Sequence, residues 1–152
     1  MTKEEELLDV IEDASKRGAK YNIEILNQEL VPTLLMLTST DNIKMVAIVC
    51  EKEEIPQMMS KILFQEQAKA YATILEAWCT PFLDRAMEYN GKVRDMPPDD
   101  KFEIVNVLMV KRHVGIYKYF TAKIETQRDG ARKVGDWEDG TVKGNSIVTT
   151  SW

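Results

Sequence analysis

The apolar period of this chain changes once, near Pro32, and that change constrains the fold more than any other feature. Upstream, Leu7, Ile11, Ala14, Gly18, Tyr21 and Ile25 recur at steps of three and four, which keeps one stripe of a helix in register. Thr2 stands three residues ahead of Glu5, the spacing of a capping box that satisfies orphan backbone donors at a helix start. The helix is therefore expected to run across Gly18 to about Gln28, with a break at Gly18 as the alternative. Downstream, TLLMLTS from Thr33 and IKMVAIVCE from Ile43 are short, apolar and increasingly β-branched. Thr40-Asp41-Asn42 between them is turn chemistry, so the pair reads as a β-hairpin.

The helical period returns once. Lys52 to Gln67 carries Ile55, Met58, Met59, Ile62 and Leu63 on one face, with Pro56 tolerated near the start. KAYATILEAWCTPF then reads as a third strand, with helix as its competitor. Asp84 to Asp100 holds Asn90-Gly91 and Pro97-Pro98 and no apolar period, so it is expected to be a long surface loop. Phe102 to His113 and Gly115 to Gln127 are strands, either a hairpin or one strand bent at Gly115. Arg128-Asp129-Gly130 is a turn before a short strand over Arg132 to Glu138.

This order predicts an α+β domain: a mostly antiparallel sheet of five to six strands, with the N-terminal helix and the second helix packed on one face. Residues 1–138 form the single domain and residues 139–152 a C-terminal tail, in which Ile147 to Trp152 could still pair with a strand. A chain of 152 residues can bury roughly 70% of the surface its unfolded form exposes and needs neither disulfides nor metal to fold. Cys50 and Cys79 sit in apolar segments, where a buried reduced thiol is the simplest reading. Met36, Met45, Met58, Met59 and Met109 read as core filler. The longest apolar runs, Val31 to Leu37 and Met45 to Cys50, fall short of the ~20 residues of a membrane helix, and no basic, apolar leader opens the chain. A soluble, cytoplasmic protein is expected.

Chemistry is sparser. There is no P-loop, GxGxxG, GxSxG, HExxH or CxxC motif, so no cofactor is expected. His113 is the only histidine and would have to serve any zinc site or triad alone. Glu76 shares its strand face with Ala72, Ile74 and Trp78, and a carboxylate among apolar groups needs a partner or a raised pKa. It either sits near the sheet edge and pairs with an arginine or lysine of a neighbouring strand, or acts as an acid/base group together with Glu103 or the Asp99 and Asp100 pair. Asp95, Asp99, Asp100 and Glu103 place four carboxylates in nine residues. Asp99 and Asp100 could hold a hard cation, although the ordered spacing of a calcium loop is missing; a solvated acidic turn is the alternative.

Between Lys111 and Lys133 lie seven basic residues against Glu125 and Asp129. Lys111, Arg112, Lys118, Tyr119 and Lys123 could contact single-stranded nucleic acid. Parity weakens the case, because Tyr117, Tyr119 and Lys123 share one face while Lys118 and Phe120 point to the other. The net charge of −5 hides a division: residues 1–76 hold 14 of the 25 acids and 8 of the 20 bases. Two copies could pair the acidic helix of one with the basic strands of the other.

The Glu76-Ala77-Trp78 strand end, the Pro98-Asp99 loop and Glu103 in the strand that follows resemble a group of small, functionally uncharacterised prokaryotic α+β proteins. Lys101 stands where that group's pattern has an arginine. The resemblance implies no activity; it marks Glu76, Trp78, Asp99 and Glu103. Three functions stay open: a non-enzymatic domain acting as a homo-oligomer, a small carboxylate- or metal-dependent hydrolase, and a nucleic-acid binder.

Overall fold

The computed structural model describes residues 2–140; the expected pairing of Ile147 to Trp152 lies outside the described residues. The first helix, α1 (Lys3–Lys20), starts at Thr2, whose hydroxyl accepts from the Glu5 N–H while the Glu5 carboxylate accepts from the Thr2 N–H. The helix crosses Gly18 and widens into a π turn over Tyr21–Ile25, closed by Asn27 at φ 47°. It buries Leu8, Ile11, Ser15, Ala19 and Ile23 along one stripe. Ser15 is tolerated there because its hydroxyl donates to the Ile11 carbonyl at 2.7 Å.

Strands β1 (Thr33–Leu37) and β2 (Ile43–Ala47) form the expected hairpin. A 3₁₀ turn at Lys52–Glu54 leads into α2 (Ile55–Gln65), which has Pro56 in its first turn. Then β3 (Ala70–Cys79), β4 (Phe102–Lys111), β5 (Gly115–Thr126), β6 (Arg132–Val134) and β7 (Glu138–Asp139) complete an antiparallel sheet ordered β2-β1-β3-β4-β5-β6, with β7 also paired to β5. KAYATILEAWC is thus a strand. β4 and β5 are a true hairpin turned by Arg112-His113-Val114, where His113 takes φ 65° and Gly115 φ 97°. The alternative of one bent strand is excluded, because the two segments pair along almost their whole length.

Four details differ from the sequence expectation. The helices cover opposite faces of the sheet. α1 packs with Leu35, Leu37, Ala70, Ala72, Ile74, Val105, Val107 and Phe120, whereas Met59 and Leu63 of α2 pack with Leu34, Met36, Tyr71 and Val110. The reason is visible in β1, where Leu34 to Leu37 are all buried: an uninterrupted apolar run calls for cover on both sides. Second, the segment read as a long loop contains a short helix, α3 (Leu83–Glu88), and 3₁₀ turns at Val93–Asp95 and Pro98–Asp100, and it buries Ala86 and Met96. Its two anchors are too far apart to show as a period. Third, the strand expected over Arg132 to Glu138 is interrupted, because Gly135 donates to the Lys123 carbonyl and pairing resumes only at β7. Fourth, Asp139 belongs to β7, so the chain is still paired to the sheet where a tail was expected to begin.

Candidate functional site

Glu76 lies opposite Val105 in β4, on the α1 side of the sheet, so the expected sharing of a face with Ala72, Ile74 and Trp78 holds. Its Oε1 accepts from the Leu30 N–H at 2.9 Å and from Arg132 Nη2 at 2.5 Å. Both side chains are largely buried, with 11% of Glu76 and 16% of Arg132 exposed. The expected partner on a neighbouring strand is thus corrected, because Arg132 is on β6, three strands from β3. In a flat sheet those strands would stand roughly 14 Å apart, so the direct contact records how strongly the sheet curls toward α1. Burial pushes the Glu76 carboxyl above its usual range, opposed by the Leu30 amide and by Arg132 and reinforced by the charges of Glu103 and Glu29. A single carboxylate oxygen thus ties the segment ahead of β1 to the far end of the sheet.

Glu103 faces Trp78 across the β3–β4 ladder, on the same face as Glu76 and close enough for their charges to interact. Trp78 is half-buried, its ring lying under the Lys101 ammonium at 4.4 Å. Asp100 accepts from Arg85 at 2.7 Å, and Asp99 is exposed in the turn before β4. Among the described residues no three acidic, histidine or cysteine side chains converge as a metal site would require. The surface of the described residues includes two hollows. One of about 270 Å³ lies between the β1–β2 turn and the end of α2, where Thr38, Asn42 and Glu66 line it. The other, of about 410 Å³, is formed by Pro81, Phe82, Asp84 and Arg85. Neither is lined by Glu76, Asp99 or Glu103.

His113 is exposed in the β4–β5 turn. The basic residues of the late strands are dispersed: Lys118 reaches Glu12 of α1 at 2.8 Å, Lys111 covers the Tyr117 ring, Lys123 covers the Phe102 ring, and the Tyr119 hydroxyl donates to Asn106. Arg112 projects from the turn beside His113. Glu12 of α1 and Lys118 of β5 therefore pair within one chain. Tyr117 does not share a face with Tyr119 and Lys123. The ladder slips between Met109↔Lys118 and Val110↔Ile116, and this bulge turns Tyr117 onto the α1 side. Among the described residues its hydroxyl is buried without a hydrogen-bond partner, and burial, together with the charges of Glu12, Asp9 and Glu4, pushes its pKa to about 12. Tyr117→Phe removes an unsatisfied group and is expected to stabilise the fold by about 1 kcal/mol, read as a higher urea midpoint at unchanged slope. A lower midpoint would mean that the hydroxyl contributes a bond.

The methionines separate into two sets. Met36, Met59 and Met109 are buried as expected, but Met45 is 72% exposed and Met58 partly so. Met45 belongs to an apolar strip along the outer strand β2: Met45, Ala47 and Val49 are exposed on the α1 side, with Val31 exposed in the segment that leads into β1. Ile43 at the head of the strip reaches the core, whereas α1 crosses β1, β3 and β4 and leaves the rest of it open. Sequence reading missed this strip because period alone cannot tell an outer strand from an inner one. No helix among the described residues is long and apolar enough to cross a membrane. Comparison with protein-family models, with curated proteins and with solved structures finds no match to this chain.

Proposed function

We propose that this is a non-catalytic domain that works by association, and that its first partner is a second copy of itself. The observation that carries the reading is the strip of Met45, Ala47, Val49 and Val31, exposed together beside a sheet whose interior is otherwise well covered. Contiguous apolar surface on a strand at the rim of a sheet is stabilised by burial against another chain. The hydrolase reading has less support: Glu76 is engaged by Leu30 and Arg132, Asp100 by Arg85, and neither hollow brings these carboxylates to a substrate-sized space. Sedimentation velocity of the full chain at tens of micromolar is expected to show a dimer. A monomer at that concentration would sink the proposal.

A further inference from the structure

Resting on that reading, the backbone of β2 assigns the interface itself. The Thr38 N–H donates to the Asn42 carbonyl and the Ile48 N–H donates to the Pro32 carbonyl, at 2.8 Å each. Asn42 and Ile48 therefore turn their peptide groups inward to β1, and the alternation of an antiparallel ladder places Lys44 and Val46 with them. Ile43, Met45 and Ala47 must then direct theirs outward, where the strand order places no further strand among the described residues.

The two ends of the sheet are treated differently. β6 has three residues, carries Arg132 and Lys133, and has its outward Val134 N–H taken by Glu24 of the π turn at 2.9 Å. It is short, charged and covered, the usual protections of an edge. β2 has five residues in unbroken register with β1, no proline and no bulge. Its one lysine, Lys44, is drawn away by Glu66 of α2 at 2.7 Å.

We propose that two copies pair β2 against β2, antiparallel about a two-fold axis, with Met45 opposite Met45 and Ile43 opposite Ala47. In this register every outward peptide group meets another outward group, and the three pairs exchange about six N–H···O bonds. A shift of two residues one way would set Lys44 against Lys44. Because β6 is blocked, a β2-to-β6 contact that could grow into a filament is disfavoured, and the two-fold pairing closes on itself.

The test is amide hydrogen exchange of the full chain across a concentration series, followed residue by residue. Lys44 and Val46 are protected at every concentration, whereas Ile43, Met45 and Ala47 gain at least tenfold protection as the dimer forms. Met45→Lys, at an exposed position, sets two ammonium groups face to face and is expected to weaken dimerisation at least tenfold; Met58→Lys on α2 leaves it unchanged. A dimer that ignores Met45→Lys, with Ile43, Met45 and Ala47 exchanging freely, overturns this interface and leaves the homo-oligomer reading standing. A monomer in which those three amides are protected at all concentrations overturns both.

Discussion

Arg132→Met is expected to lower the unfolding free energy by about 3–5 kcal/mol at pH 7, the range found when one member of a buried ion pair is removed. The loss comes chiefly from what is left behind. Glu76 stays enclosed beneath the segment that enters β1, holding only the Leu30 N–H, with Glu103 and Glu29 nearby to repel it. The sign of the pH dependence follows from the raised Glu76 pKa. The folded protein holds this proton more tightly than the unfolded chain does, so the group favours folding at low pH, and that contribution is lost as pH rises through its folded pKa. Arg132 limits the loss by stabilising the anion. Without Arg132 the pKa climbs further, so the deficit of Arg132→Met should be small below pH 4 and widen toward neutrality. Denaturant titrations of parent and variant at both pH values test this. Pairing the substitution with Glu76→Gln should restore most of the stability at pH 7, since the amide needs no counter-charge. An Arg132→Met protein as stable as the parent at pH 7 would show that the contact adds nothing.

Glu76 also shows how far the sequence could be read. That a carboxylate sharing a face with Ala72, Ile74 and Trp78 needs a partner follows from alternation and desolvation alone, and the structure supplies Arg132. Which cation it would be did not follow, because Arg132 is 56 residues away on a strand that reaches β3 only through the curl of the sheet. Local signals were legible where the chemistry is local. The Thr2 and Glu5 cap, the turn between β1 and β2, Pro56 in the first turn of α2 and the strand from Ala70 are all present. Tyr117 was misplaced because it is the extra residue of β5 where the ladder slips opposite the Met109–Val110 step, which breaks the parity rule. Met45 was misplaced for a different reason: in IKMVAIVCE it looks like any core residue, and only the order of strands leaves it at the rim. The open edge is thus a property of topology, which a single sequence carries least plainly.

Leu34→Ala and Leu37→Ala are each expected to cost about 2–5 kcal/mol, since both side chains are fully buried and neither site can collapse freely. Their combination discriminates more than either alone. Leu34 points into the α2 side with Met59 and Leu63, and Leu37 into the α1 side with Ile11 and Ala72, so the two cavities open in separate clusters on opposite faces of β1. Their costs should add to within about 0.5 kcal/mol. Leu35 and Leu37 stand on the same face in the same cluster, and Leu35→Ala with Leu37→Ala should deviate from additivity by 0.5 kcal/mol or more. Urea titrations of the singles and both doubles measure this, at a temperature where the doubles still fold, because their combined loss approaches the whole stability of an ordinary domain. Additivity across the strand, with coupling along one face, is what a sheet covered independently by α1 and α2 requires. Strong coupling between Leu34 and Leu37 would mean instead that β1 transmits the loss of one helix to the other, and that the two cores fold as one.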